Sequence, residues 1–192
     1  MKLVYIFLLI CLNQCTIDIK QVPAIRASNS PISKIDKVLF FGKFDIYTAD
    51  RELFIKAWKY SFESIVKSHR IFKNVESLPE DFANLPTDYF IIDIDIRPKL
   101  ESEYNWWWTW PAIYPFTAYW PFQKRTGKYS LEIEYKIFNQ DGEEELTGKI
   151  IRNSEHTVDL YGFFRTWGIE KMIETVNLEA MEECAKILNS SF

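Results

Sequence analysis

Few side chains in this sequence have the chemistry of an active site. Asp93 and Asp95 alternate along an apolar stretch, and such a pair can act in acid–base catalysis or bind a cation. Since no other acid or ligand lies nearby in the sequence, we interpret this face of the strand as solvent-exposed. His69 and His156 are the only histidines, and no two cysteines have the spacing of metal ligands. The sequence therefore predicts no metal site, and we assign His69 to the end of a helix.

The remaining reactive side chain of the body of the chain is Cys184. It falls on the apolar side of a predicted helix, where a thiol acts as a small hydrophobic group. The sequence contains no glycine-rich phosphate loop and no nucleophile elbow. We expect a protein that is not an enzyme and that needs no cofactor.

The N-terminus has the order of a secretion signal. Met1-Lys2 precedes ten apolar residues, 3–12, a run that is too short to span a bilayer but suits a signal peptide. The following Leu12-Asn13-Gln14-Cys15 resembles a bacterial lipobox of the relaxed, spirochaete type. The resemblance implies cleavage after residue 14 and acylation of Cys15, which would anchor the protein to a membrane. Two alternatives remain: an ordinary cysteine behind a conventional signal, or an uncleaved anchor.

The most unusual stretch is Tyr104–Phe122, hereafter the aromatic segment. Ten of its nineteen residues are aromatic, three are proline and none is charged, while Lys and Arg flank it on both sides. Such a segment needs cover from water, from its own core, a protein partner or a membrane interface, and aromatic rings also stack on sugars. We predict contact with a membrane or partner by its exposed rings, which are Trp106, Trp107, Trp108, Trp110, Tyr114, Phe116, Tyr119 and Trp120.

Composition limits the remaining classes of function. The chain has 192 residues and a formal charge of −4, and this charge argues against nucleic-acid binding. Two of the three cysteines lie in the N-terminal segment, so no disulfide framework is predicted. We divide the chain into a signal peptide (1–14), a lipidated and flexible tether (15–36) and one domain (37–192).

The domain alternates strands and helices in the order β-α-β-β-β-β-α. Strands are predicted over 37–46, 71–75, 88–100, 128–138 and 146–152, and amphipathic helices over 51–68 and 169–188. Asp141-Gly142 is a hairpin signal, and residues 153–167 are predicted to be irregular, with a second aromatic cluster beside the first. This order predicts an α+β sandwich: a mixed, largely antiparallel sheet of four to five strands, with both helices on one face and the aromatic segment protruding.

The order of elements from Lys37-Val-Leu-Phe-Phe-Gly through the hairpin resembles a superfamily of envelope lipoproteins. Its members include the curli-secretion lipoprotein, the penicillin-binding-protein activator, the Pel exopolysaccharide lipoprotein and the N-terminal domain of TolB. The resemblance implies a non-enzymatic accessory protein that binds a larger machine or its own copies at a membrane, most readily the outer membrane. The alternative is a surface or periplasmic lipoprotein that binds a host molecule, a lipid or a glycan.

Overall fold

The computed structural model describes residues 35–48, 51–79, 85–104, 124–159 and 167–192. It assigns five strands and two helices to these residues. The elements are β1 (Ile35–Ile46), α1 (Arg51–Ser68), β2 (Phe72–Ser77), β3 (Tyr89–Tyr104), β4 (Arg125–Asn139), β5 (Glu144–Val158) and α2 (Trp167–Ser191). The predicted signal peptide, the tether up to residue 34, Cys15 and the eight rings chosen in the aromatic segment lie outside the described residues.

The five strands form one open sheet in the order β2-β1-β3-β4-β5. β1 lies parallel to both β2 and β3. Ion pairs between neighbouring strands show that β4 runs antiparallel to the strands on either side of it. Towards β3, Glu132 contacts Arg97 and Lys128 contacts Glu103. Towards β5, Glu132 contacts Lys149 and Lys136 contacts Glu144. The predicted mixed α+β fold is confirmed.

Pro98 lies in a central strand, a place that proline usually avoids because it cannot donate a hydrogen bond to the ladder. The register explains its presence. β1 ends at Ile46, which pairs with Ile96, so β3 continues past the end of its β1 neighbour. Pro98 therefore falls where no β1 carbonyl lies opposite its nitrogen.

The regular spacing of apolar residues in the sequence explains how the helices pack on the sheet. In α1 the buried residues recur every three to four positions, at Phe54, Trp58, Phe62 and Ile65. Phe62 meets Phe41 of β1 edge to face, with ring centroids 5.9 Å apart. This contact places α1 on the face of β1 that the alternating apolar residues define.

The helix α2 covers the same face of the sheet. Just after its last turn, Phe192 packs against Phe90 of β3 with ring centroids 4.7 Å apart. Arg152 of β5 reaches Glu183 of α2 with an Nη2–Oε2 distance of 2.6 Å. On the opposite face most described side chains are charged or partly exposed, but Phe40 is buried there against Tyr89.

The turn between β4 and β5 is the one that Asp141-Gly142 predicted. Gly142 has a φ of 78°, in the left-handed region that favours glycine. Its N–H donates to the carbonyl of Asn139 at 3.0 Å. The side-chain oxygen of Asn139 accepts from the N–H groups of Asp141 and Glu143. β5 then continues to Val158, so the prediction of irregular chain is wrong for 153–158, where polar side chains hid the strand pattern.

The contacts divide the chain into two compact units. Of the described residues, 100–104, 124–129, 154–159 and 167–174 belong to the first unit, and all others belong to the second. The first unit has a small core that includes Tyr129, Val158, Ile169 and Ile173. The second contains the phenylalanine contacts given above.

Candidate functional site

The aromatic segment joins two neighbouring strands at one end of each. β3 ends at Tyr104 and β4 begins at Arg125, and the two strands are adjacent in the sheet. Arg125 Nη2 donates to Ser102 Oγ at 2.8 Å, and Lys128 Nζ lies 3.6 Å from Glu103 Oε1. The described residues on the two sides of the segment are therefore held together, so the segment starts and ends at one place.

The second aromatic cluster of the sequence joins at the same place. β5 ends at Val158 and α2 begins at Trp167, with the predicted cluster residues Tyr161, Phe163 and Phe164 lying between them, outside the described residues. Lys124 Nζ lies 3.3 Å from Asp159 Oδ1, and the hydroxyls of Thr126 and Thr157 are 2.9 Å apart. These contacts hold the end of β5 against the start of β4.

The first turn of α2 packs closely on this part of the sheet. A Cβ added to Gly127 would come within 2.8 Å of the Ile169 side chain, and one added to Gly168 within 3.1 Å of His156 Nε2. Glycine is thus required at 127, whereas a Cβ at 168 would need a shift of a few tenths of an ångström in its neighbours. Trp167, directly before Gly168, has 68% of its surface exposed. We define the candidate site as the described residues around these junctions: 102–104, 124–128, 156–159 and Trp167.

The charges at the candidate site differ from what the flanking basic residues suggest. Lys124 and Lys128 each lie in an ion pair with an acidic side chain, Asp159 and Glu103. The described residues of this unit carry four basic and six acidic side chains in all. The described part of this unit is therefore slightly acidic. Such exposed pairs stabilise weakly, but they neutralise the charge that would attract anionic headgroups.

Asp93 and Asp95 lie on the face of the sheet away from the helices, and both contact Lys43. The register of β1 shifts between Phe41 and Phe44, and Asp93 Oδ1 accepts the backbone N–H of Lys43 at this bulge, at 2.8 Å. Asp95 Oδ1 lies 2.9 Å from Lys43 Nζ. The hydrogen bond to Asp95 raises the pKa of Lys43. These contacts give the two carboxylates a structural role. Among the described residues, no group of three or more side chains could hold a metal ion.

The same face carries a charge network across three strands. Glu132 of β4 lies 2.7 Å from Arg97 of β3 and 2.9 Å from Lys149 of β5. Glu134 contacts the same two cations, at 3.0 and 3.5 Å. Hydrogen bonds from Lys149 and Arg97 lower the pKa of Glu132, and the acidic partners raise the pKa values of both cations. The network joins the strands and leaves little unpaired charge for a ligand.

Cys184 and His69 lie where the sequence predicted them. The Cys184 thiol is fully buried on α2, and burial raises its pKa, so it is a poor nucleophile. The N–H of His69 donates to the carbonyls of Ile65 and Val66, which places His69 directly after the last turn of α1.

The described helices do not include a membrane span: none is both long and apolar enough to cross a bilayer. Residues 3–12 lie outside the described ranges.

The fold is shared with a solved structure from Helicobacter pylori, which is described as a neuraminyllactose-binding hemagglutinin homologue. The two chains are 12% identical, with a TM-score of 0.52 over 85% of this chain and 87% of that one. A minor lipoprotein from Acinetobacter baumannii is 7% identical, with a TM-score of 0.39 over 83% of this chain and 91% of that one. PelC from Paraburkholderia phytofirmans, solved as a dodecamer, is 11% identical, with a TM-score of 0.40 over 83% and 95%. The last two scores are too low to establish a common fold.

The similarity to the H. pylori structure therefore shows the fold class of this chain, an α+β sandwich. Within that class, one protein-family model matches residues 6–189, and the chain belongs to the family that this model represents. No curated protein matches the sequence.

Proposed function

We propose that the protein is a non-enzymatic accessory or assembly factor of the bacterial cell envelope, anchored by lipid at Cys15. The aromatic segment would contact the surface of the membrane or of an envelope complex. One observation carries this proposal: the described ends of both aromatic stretches are held together, and exposed Trp167 lies beside them. Two uncharged or nearly uncharged aromatic stretches that start from one place can present their rings to one surface.

The mode of contact follows from the charges at these ends. Because Lys124 and Lys128 are paired with acids, the proposed contact depends on the rings rather than on attraction between opposite charges. Tryptophan and tyrosine favour the interface of a bilayer, where the ring is apolar and its edge is polar. We therefore expect similar binding to zwitterionic and anionic vesicles and little effect of salt.

Co-sedimentation of residues 16–192 with vesicles tests this proposal, because that chain lacks Cys15 but contains every described residue. The variant Trp106/Trp107/Trp108→Ser should lose binding, and Trp167→Ser should weaken it. Tyr60→Ser is the matched control, since Tyr60 is 66% exposed on α1, in the other unit, and should not affect binding. Binding that survives the triple variant, or that needs anionic lipid, would contradict the proposed mode.

A second candidate is a ligand-binding lipoprotein that holds a glycan on its aromatic rings. The name of the H. pylori protein, which shares the fold, includes neuraminyllactose binding. Titration of the same chain with sialyllactose, followed by tryptophan fluorescence, tests this candidate, with lactose as the control sugar. Saturable binding of sialyllactose alone would favour it over the accessory factor.

A further inference from the structure

β5 is a long strand at the edge of the sheet. It has 15 residues and pairs with β4 on one side, and among the described strands it has no neighbour on the other. The strand at the opposite edge, β2, has only six residues. Proteins protect edge strands by making them short or by placing proline or charged side chains in them, because free N–H and C=O groups pair readily with another strand. β5 is long and contains no proline, and the two cations near its centre, Lys149 and Arg152, already contact acidic side chains of their own chain.

The middle of β5 carries an exposed apolar side chain. Ile151 is 52% exposed. It lies two residues after Lys149 and so on the same face of the sheet, the face that carries the charge network. An isolated exposed isoleucine is ordinary, but here it lies at the centre of an unpaired edge. A second strand laid along β5 would cover it.

We propose that β5 pairs with β5 of a second copy of this chain, antiparallel and in a register centred on Ile151. The two-fold axis then places Ile151 opposite the Ile151 of the other copy, and the two sheets become one sheet of ten strands. This interface requires neither Cys15 nor the aromatic segment, and it shares with the candidate site only the end of β5, residues 156–158.

The charges along β5 favour this register. In this register Lys149 of one copy lies opposite Asn153 of the other copy. Glu155 of that other copy is then the diagonal neighbour of Lys149. The two-fold symmetry forms this Lys149–Glu155 contact twice. Diagonal neighbours lie about 7–8 Å apart at their Cα atoms, within reach of long side chains. A register centred one residue later would place Arg152 opposite Arg152, and like charges directly opposite each other destabilise a strand pair. The Ile151-centred register places Arg152 opposite Ile150, so the two arginines are only diagonal neighbours, and each contacts Glu183 of its own chain.

Disulfide trapping tests the register directly. In the full chain, an Ile151→Cys variant places the two new thiols opposite each other, with Cβ atoms about 4.5–5.5 Å apart, close to disulfide distance. Thr147→Cys is the matched control: it is exposed on the same face of β5, but the register separates its two copies by about 26 Å. Both variants keep the same other cysteines, of which Cys184 is buried.

We expect oxidation to link two Ile151→Cys chains covalently and to leave Thr147→Cys unlinked. Equal linkage at both positions, or none at 151, would overturn the proposal. A second measurement is the mass of the full chain in mild detergent, which should be that of two chains. Ile151→Lys should reduce it to one, because two lysines would face each other, whereas Thr147→Lys, opposite Glu155, should retain the dimer. A monomeric wild-type chain would also overturn the proposal.

Discussion

Asp93 stabilises the bulge in β1 by accepting the N–H of Lys43, a donor that the shift in register leaves without a strand partner. Asp93→Ala should therefore destabilise the fold by about 0.5–1.5 kcal/mol, the usual net contribution of such a hydrogen bond. Urea unfolding measures this free energy. Glu179→Ala is the control, since it removes an exposed carboxylate from α2. Equal losses in the two variants would contradict the specific role of Asp93.

Gly42, the residue before Lys43, tests the same bulge through its close contact with Asp93. A Cβ at this position would overlap with the Asp93 carboxylate and lie 2.8 Å from the Ile91 side chain. Gly42→Ala should therefore destabilise the fold by about 1–3 kcal/mol, as overpacking usually does. In the Asp93→Ala background part of that loss should disappear, because the closest neighbour is gone. A double-mutant cycle of urea unfolding measures the coupling, and strict additivity would count against the contact.

Because the pKa of Glu132 is lowered in the folded protein, the stability that the charge network contributes depends on pH. The Glu132 pKa is lowered in the folded state by Lys149 and Arg97, so the unfolded chain binds the proton more tightly. The stability from this group is present above the unfolded pKa of about 4.3 and is lost as the pH falls through the lower, folded value. Glu132→Gln should therefore flatten the fall in melting temperature between about pH 5 and 3. Glu179→Gln, which removes an exposed carboxylate from α2, should leave that slope unchanged.

At the scale of elements, the sequence predicted most of what the structure contains. α1 has the predicted bounds, and each strand was placed, because strict alternation and helical spacing of apolar residues determine which face is buried. The extra residues of β5 were missed since an exposed edge strand buries few side chains there and shows no alternation. The strand order was not predicted either, because the alternation of apolar residues within one strand does not indicate which other strands pair with it.

For the candidate site, the sequence could predict which residue types are present but not which side chains contact each other. The sequence indicates an aromatic segment with basic flanks, but it does not show that Lys124 and Lys128 pair with Asp159 and Glu103. Those acids lie 35 and 25 positions away along the chain, and only the strand order brings them near. Local sequence therefore shows the basic flanks but not the two ion pairs that reduce their net charge.

For the whole molecule, the attachment at Cys15 decides where the chain acts. Acylation would add two or three chains, each contributing about 0.8 kcal/mol per buried CH₂, and two such chains suffice for stable anchoring. Cys15→Ala should therefore move the protein from the membrane fraction to the soluble fraction, or leave an uncleaved precursor of higher mass. The measurement is fractionation of cells that express the full chain, followed by mass spectrometry of the N-terminus.

Cys11→Ala provides the matched control for that experiment. Cys11 is the other cysteine of the N-terminal segment, but it lies within the apolar run and has no role in the lipobox resemblance. Its replacement should leave both the membrane fraction and the acylated mass unchanged. The last variant combines Cys15→Ala with Trp106/Trp107/Trp108→Ser. If this combined variant still fractionates with membranes at full yield, neither the lipid nor these rings attach the chain to the membrane. Attachment would then come from a protein partner, and anchoring through Cys15 would be rejected.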